Sequence, residues 1–354
     1  MKKSLLALVL LVVMIIAYAF SVMKTTGFFR EIIPYPDPLS YTEFPISGVE
    51  DMAISRLDSF LILSADDRAS RRNGKEKQGA LYLLDLKNGD NPIVNLTENL
   101  PLPLAPHGIS LLSIDTGYYQ LYVINHALGK HSVEVFELTD GTLSHMETLS
   151  HPAMIQPNDI VTFAPGRFYF TNDHKYTSGL GEHAENYLGL ALSNVVYVEN
   201  GNYREVANGI AYANGIAFDT RKKLVYVSSP RRFQVNVYNQ LENGDLDYLE
   251  ALSVNTGVDN VELDENGDLW IGCHPNLLQF TSYVKGKKPI APSEVIVINY
   301  NGKNDYSLRS VFLDDGTIMS ASTVAIPIGN TLFVGNVMDD HFVKIDFCAN
   351  ECLD

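Results

Sequence analysis

A sixfold repeat constrains this chain more than any other feature. Residues 258–275 hold one whole unit. A polar pair, Asp259-Asn260, is followed at once by the apolar Val261. A polar turn comes next, Asp264-Glu265-Asn266-Gly267-Asp268, and then a short apolar run, Leu269-Trp270-Ile271-Gly272-Cys273, that ends in His274-Pro275. Asn-Gly between apolar runs is a strong hairpin signal, because both residues tolerate the positive φ that a tight turn requires. The unit therefore reads as two antiparallel strands with the polar pair at the mouth of the first.

Five further units follow the same order. Glu50-Asp51-Met52 precedes a strand at 60–63, His107-Gly108-Ile109 one at 121–124, and Asn158-Asp159-Ile160 one at 168–170. Asn214-Gly215-Ile216 precedes a strand at 224–227, and Ser322-Thr323-Val324 one at 332–334. The units recur at intervals of roughly 45 to 60 residues, the length of a four-stranded blade. The expected fold is all-β, a six-bladed β-propeller. Its innermost strands line a central channel, so the polar pairs converge on one axis. Asn, Asp and Gly also belong at hairpin ends, so one pair alone says little. Five pairs in register that carry Glu, Asp, Asn or His predict a cation site, and carboxylate with amide oxygen suits Ca²⁺.

The chain of 354 residues uses its length on one propeller, with no second domain expected. Its 42 acidic and 26 basic residues give a net charge of −16, which argues against nucleic acid as a partner. With 19 Tyr and 16 Phe, strand formers are abundant.

The N-terminus is different. Lys2-Lys3 precedes an apolar run from Leu5 to Met23 that only Ser21 interrupts. About nineteen such residues can span a bilayer. Ala17-Tyr18-Ala19 also fits a signal-peptidase site, so residues 1–23 read as a signal peptide or a signal-anchor helix. Continuation through Val22-Met23 favours a retained anchor, a membrane contact, and a propeller on the extracytoplasmic side. Residues 24–45, with Pro34, Pro36, Pro38 and Pro45, read as an extended juxtamembrane segment, and 46–354 as the propeller. Residues 64–79 and 177–186 read as polar loops on the blade ends. Asn95-Leu96-Thr97 is a glycosylation sequon. Cys273, inside a strand, reads as a buried free thiol, and Cys348 and Cys352 as a possible local pair.

Two histidines carry the candidate chemistry. His107 belongs to a polar pair, and His126 ends the next strand of the same unit. At one end of one blade they can form a base and the group that orients it, or an ordinary hydrogen-bonded pair. No Gly-x-Ser-x-Gly elbow or phosphate-binding glycine loop is present, which argues against a serine nucleophile and nucleotide chemistry.

The chain resembles the serum paraoxonase/arylesterase family, calcium-dependent lactonases built on a six-bladed propeller. The matching stretches are GVEDMAI at 48–54, PHGIS at 106–110, INH at 124–126, NDIV at 158–161, TNDH at 171–174, YANGI at 212–216, VDNV at 258–261 and DLWIGCHPN at 268–276. The resemblance implies that Glu50, Asn158, Asn214, Asp259 and Asn260 hold a catalytic Ca²⁺. It implies that Asp51, Asp159 and the carbonyl of Ile109 hold a second, structural Ca²⁺, and that His107 and His126 form the catalytic dyad. The expected activity is hydrolysis of lactones and aryl esters. The alternative is a membrane-anchored chaperone or assembly factor that has lost turnover. Gluconolactonase-like and strictosidine-synthase-like propellers fit the PHGIS and DLWIGCHPN stretches less well. Two departures stand out. Residues 24–49 hold no cysteine for the family's disulfide, so the last blade must close by strand pairing or Cys348 must pair with Cys352. Asp66-Asp67-Arg68 replaces a less charged, aromatic flap, which bears on substrate choice.

Overall fold

The six units fold into six four-stranded antiparallel sheets. They are described here from a computed structural model, which describes residues 2–35, 40–75 and 77–347. Cys348, Cys352, Pro36 and Pro38 lie outside the described residues. The first strands of the sheets are Val49–Ser55, Pro106–Asp115, Pro157–Ala164, Ile216–Asp219, Gly257–Leu263 and Ser322–Ile328. Each touches the first strand of the next sheet around a closed ring, so these are the innermost strands. Five sheets then run outward in chain order.

The sixth sheet departs from that order. Its outermost strand is Ser40–Phe44, from the segment read as juxtamembrane, paired antiparallel with Phe342–Asp346. The ring thus closes by strand pairing between the two ends of the chain. Phe44 stacks on Phe342 at 4.8 Å between ring centroids, which fixes the register.

The alternation of each strand divides the core into wedges. One apolar cluster lies between each neighbouring pair of blades. Tyr226, Val237, Ile271 and Ile296 fill one wedge, and Tyr169, Val195, Phe218 and Val227 fill another. Blades therefore hold one another by side-chain packing rather than by shared hydrogen bonds, and the axis is left free for polar groups.

Four helices complete the structure. Helix α1, Lys2–Thr25, has no buried membrane-length window and is long and apolar enough to cross a membrane. Just beyond it, the carbonyl of Thr26 accepts from the N–H of Leu277 at 2.9 Å. Arg30 then pairs bidentately with the buried Glu294 at 2.6 and 2.7 Å. Helices α2, Arg68–Arg72, and α3, Gly179–Leu188, occupy stretches expected to be loops. Helix α2 has no apolar period and the apolar residues of α3, Leu180, Tyr187 and Leu188, stay exposed, so side chains hold the helices instead. Asp67 caps α2 by accepting from the Ser70 N–H at 2.9 Å. The buried Glu185 of α3 accepts from the N–H groups of Lys175 and Tyr176. Helix α4 is Leu277–Val284, capped by Asn276.

Cys273 is buried and free, as its place in a strand suggested. Asn95 of the sequon ends the short outer strand Ile93–Asn95. Its side chain accepts from the N–H of the buried Thr97 at 2.9 Å.

Candidate metal centre and histidine chain

Five of the six polar pairs sit where the innermost strands lose register with their neighbours, and the sixth, Asn214-Gly215, directly precedes its strand. The shifts fall between Val49 and Asp51, Pro106 and Ile109, Pro157 and Ile160, Val258 and Val261, and Ser322 and Val324. A bulge leaves a residue unpaired and re-aims its side chain. Here the re-aimed side chains meet at one end of the axis. Two glycines allow the close approach. A Cβ on Gly108 would stand 2.5 Å from the Asp159 Cα, and one on Gly215 would stand 2.6 Å from the Asn260 Cα.

Glu50, Asn158, Asn214, Asp259 and Asn260 come together there, all buried. They line one cavity of about 540 Å³ with His107, Arg68, Tyr212 and His274, apart from Asn260, which lies behind Glu50. Each ligand candidate is held by one atom and leaves another free. The Nδ2 of Asn260 donates to the Oε1 and carbonyl of Glu50 at 3.1 and 3.0 Å. The Nδ2 of Asn158 donates to Asp173 at 3.3 Å. His274 Nε2 lies 2.7 Å from Asp259 Oδ2. The Asn214 carbonyl accepts from the Thr171 hydroxyl at 2.7 Å. What remains is Glu50 Oε2, Asn158 Oδ1, Asn214 Oδ1, Asp259 Oδ1 and Asn260 Oδ1. All five are buried without a hydrogen-bond partner.

Unpartnered buried oxygens cost stability unless something satisfies them. Five on five neighbouring side chains fit a hard cation with oxygen ligands. Among the described residues no three His, Cys, Asp or Glu side chains group as ligands. The set depends on amide oxygens and lacks sulfur and imidazole donors, which suits calcium better than zinc. Burial pushes the Asp259 carboxyl up. Burial acts on Glu50 in the same direction, but His107, Arg68 and Asn260 outweigh it and hold the carboxyl below its ordinary value.

Asp51 and Asp159, the pair behind, are also buried. Asp51 accepts from the N–H groups of Met52 and Ile109 at 2.8 and 2.7 Å. Asp159 accepts from those of Ile160 and Ile216, both at 2.7 Å. Each carboxylate thus ties its own blade to the next. Burial raises both carboxyls well above the usual range, and neighbouring carboxylates add to the effect. Ile109 contributes its N–H to Asp51, a role separate from the ligand carbonyl expected of it.

His107 and His126 meet as expected, with Nδ1 and Nε2 2.9 Å apart. The Nε2 of His107 faces Glu50 Oε1 at 3.4 Å, and the Ser64 hydroxyl donates to the His107 carbonyl. The sequence did not bring forward a third member. His131 Nδ1 lies 2.8 Å from His126 Nδ1, giving a row of three imidazoles. Burial, then the neighbouring His107 and His131, push His126 well below its ordinary value. Burial also lowers His131. Asp173 and His174, which only the resemblance singled out, support Asn158. Burial disfavours charge on His174, but Asp173 at 2.7 Å outweighs it and raises the imidazole to about 9. The sixth pair, Ser322-Thr323, contributes no ligand. The Thr323 hydroxyl donates to the Glu50 carbonyl at 2.7 Å and so positions the first.

With this geometry in hand, comparison with known proteins is decisive. The arylesterase family model matches residues 72–345. Human serum paraoxonase/arylesterase 1 is 35% identical over 277 residues, 76% of each chain. The chain belongs to the arylesterase family. Rat serum paraoxonase/arylesterase 2 is 33% identical over 268 residues, 74% of this chain and 75% of the relative. The names of these family members support a hydrolase function. Among solved structures, a luciferin-regenerating enzyme aligns at TM-score 0.56 and 12% identity, over 90% of this chain and 96% of that one. A structure described as a gluconolactonase aligns at TM-score 0.52 and 16% identity, over 90% of this chain and 94% of that one. Both likenesses concern the fold alone.

Proposed function

We propose that the protein is a calcium-dependent hydrolase of aryl esters and lactones. The five buried, unpartnered oxygens of Glu50, Asn158, Asn214, Asp259 and Asn260 carry this reading. A calcium ion held there supplies Lewis-acid polarisation of the substrate carbonyl and stabilises the developing oxyanion. His107 accepts a proton from the attacking water at Nε2, the nitrogen that faces Glu50. For that nitrogen to be free, the His107 Nδ1 carries hydrogen and donates to His126 Nε2. His126 in turn donates from Nδ1 to His131 Nδ1, so the row can pass a proton away from the site. The leaving alcohol takes its proton back from this row or from water. Asp51 and Asp159 hold a second, structural ion between blades.

Helix α1 is proposed as a retained signal-anchor, with the propeller on the extracytoplasmic side and the cavity end close to the membrane. The Tyr18 hydroxyl of α1 donates to the Tyr187 carbonyl of α3 at 2.6 Å, and Val22 and Thr26 line the cavity, which supports that orientation.

The test is kcat/KM for phenyl acetate and a lactone, with metal content measured, in the unmodified protein and in Asn158→Ala. Asn158→Ala should lose both activities by about 10²–10³ or more, together with one of the two proposed calcium ions. Calcium binding without turnover of any ester or lactone would overturn the hydrolase reading and favour the chaperone.

A further inference from the structure

Two arginines on the cavity wall each carry a buried guanidinium nitrogen without a partner. Arg68, the first residue of α2, lines the cavity beside Glu50 and His107. Its Nη1 is buried without a hydrogen-bond partner, and its Nη2 donates only to the Pro106 carbonyl at 3.1 Å. Its Nε makes a long ion pair at 3.8 Å with Asp66, an acid already held bidentately by Arg71 at 2.7 and 2.8 Å. Arg231 lines the same cavity, and its Nε is also buried without a partner. No carboxylate lies within ion-pair distance of it among the described residues, and burial holds its guanidinium below the ordinary value. Lys285 adds a third positive charge to the wall and donates to the Tyr187 hydroxyl at 3.0 Å. The acids that face the cavity are Glu50, Asp259 and Glu182. The first two belong to the metal centre, and Glu182 makes no ion pair with either arginine among the described residues.

A half-buried guanidinium is stable when an acceptor meets its donors, and a carboxylate fits its planar fork. The protein leaves Arg68 Nη1 and Arg231 Nε without one. We propose that Arg68 and Arg231 provide, on the cavity wall, a subsite for a carboxylate on the substrate, so that the preferred substrates are anionic esters and lactones. The proposal rests on the hydrolase reading above and narrows its substrate class. The charged flap Asp66-Asp67-Arg68 then has a function: Asp66 fixes Arg71, and Arg68 is left for the ligand.

The experiment compares kcat/KM for phenyl acetate and monophenyl glutarate, which differ in a remote carboxylate. The unmodified protein should prefer the charged ester by about tenfold or more, the scale of a charge-assisted hydrogen bond. Raised salt should reduce that preference. Arg68→Gln and Arg231→Gln should each lower the ratio of the two rates. A ratio near one in the unmodified protein overturns the subsite. So does an equal loss of both esters in both variants, which marks the arginines as structural support. Calorimetry with glutarate on the calcium-loaded protein reads the subsite without turnover, and binding should weaken in each variant. If neither ester is hydrolysed, the hydrolase reading fails while glutarate binding still decides the subsite. If both are hydrolysed equally and glutarate does not bind, the subsite fails and the hydrolase reading stands.

Discussion

A bulge exposes one or two side chains to the axis, and what each does depends on what holds its other end. The His107 imidazole is held by His126, so His107→Gln should remove the proposed base yet leave the five proposed metal ligands intact. Aryl esters with good leaving groups should then survive better than lactones, and calcium content should not change. His126→Gln should be milder, because it removes only the orienting contact. Full lactonase activity of His107→Gln across the pH range would move the base to Glu50 or Asp259. His174 gives a second prediction. Its folded value of about 9 lies above the ordinary 6.5. The stability it contributes is therefore fully present below about pH 6.5 and lost as pH rises through about 9. Urea unfolding of the unmodified protein and of His174→Gln should differ most at acidic pH and converge at alkaline pH; a gap that widens with pH would exclude the Asp173 contact as its source. The polar pairs were legible because the repeat marks them one by one. His131, Arg231 and the Asp173 support of Asn158 were not, since all three lie beyond the strand ends, outside the positions that the repeat marks.

At the scale of elements, the hairpin units were legible from their turns and apolar alternation. The strand that closes the ring was not. Ser40–Phe44 is SYTEF, mostly exposed, and its partner lies about three hundred residues away. Its neighbouring prolines argued for an extended segment, which is also what an edge strand is. Helices α2 and α3 were hidden for a related reason, because caps and a buried Glu185 hold them rather than an apolar stripe. The closing strand carries a testable load. Phe44→Ala removes a half-buried ring stacked on Phe342, at a cost of about 2 kcal/mol from lost apolar area and ring contact. The urea midpoint should fall, while kcat/KM should stay near that of the unmodified protein because the proposed metal centre lies at the inner edge of the blades. A midpoint that does not move would mean that the last blade closes without this pairing.

In the whole molecule, the innermost strands of all six blades bring polar groups to one axis. Six apolar wedges bind each blade to its neighbours, but Asp51 and Asp159 reach across from one blade to the next through backbone N–H groups. Glu50 and Asp259 bring further carboxyl groups into the same buried region. Without cations these groups repel or take up protons, and the oxygens of Asn158, Asn214 and Asn260 lose their partner. A ligand that binds the folded chain alone stabilises it by about 2.7 kcal/mol at a concentration one hundred times its Kd. Exhaustive chelation should therefore lower Tm by several degrees or more, and added calcium should restore it in a concentration-dependent way. Magnesium should restore less, because it demands a tighter octahedral shell than this broad set of oxygens offers. Asn158→Ala separates the two proposed ions. It should abolish the turnover-linked ion and keep part of the calcium-dependent gain in Tm, since Asp51 and Asp159 remain. A thermal transition that stays unchanged at zero metal content would remove calcium from both proposed sites.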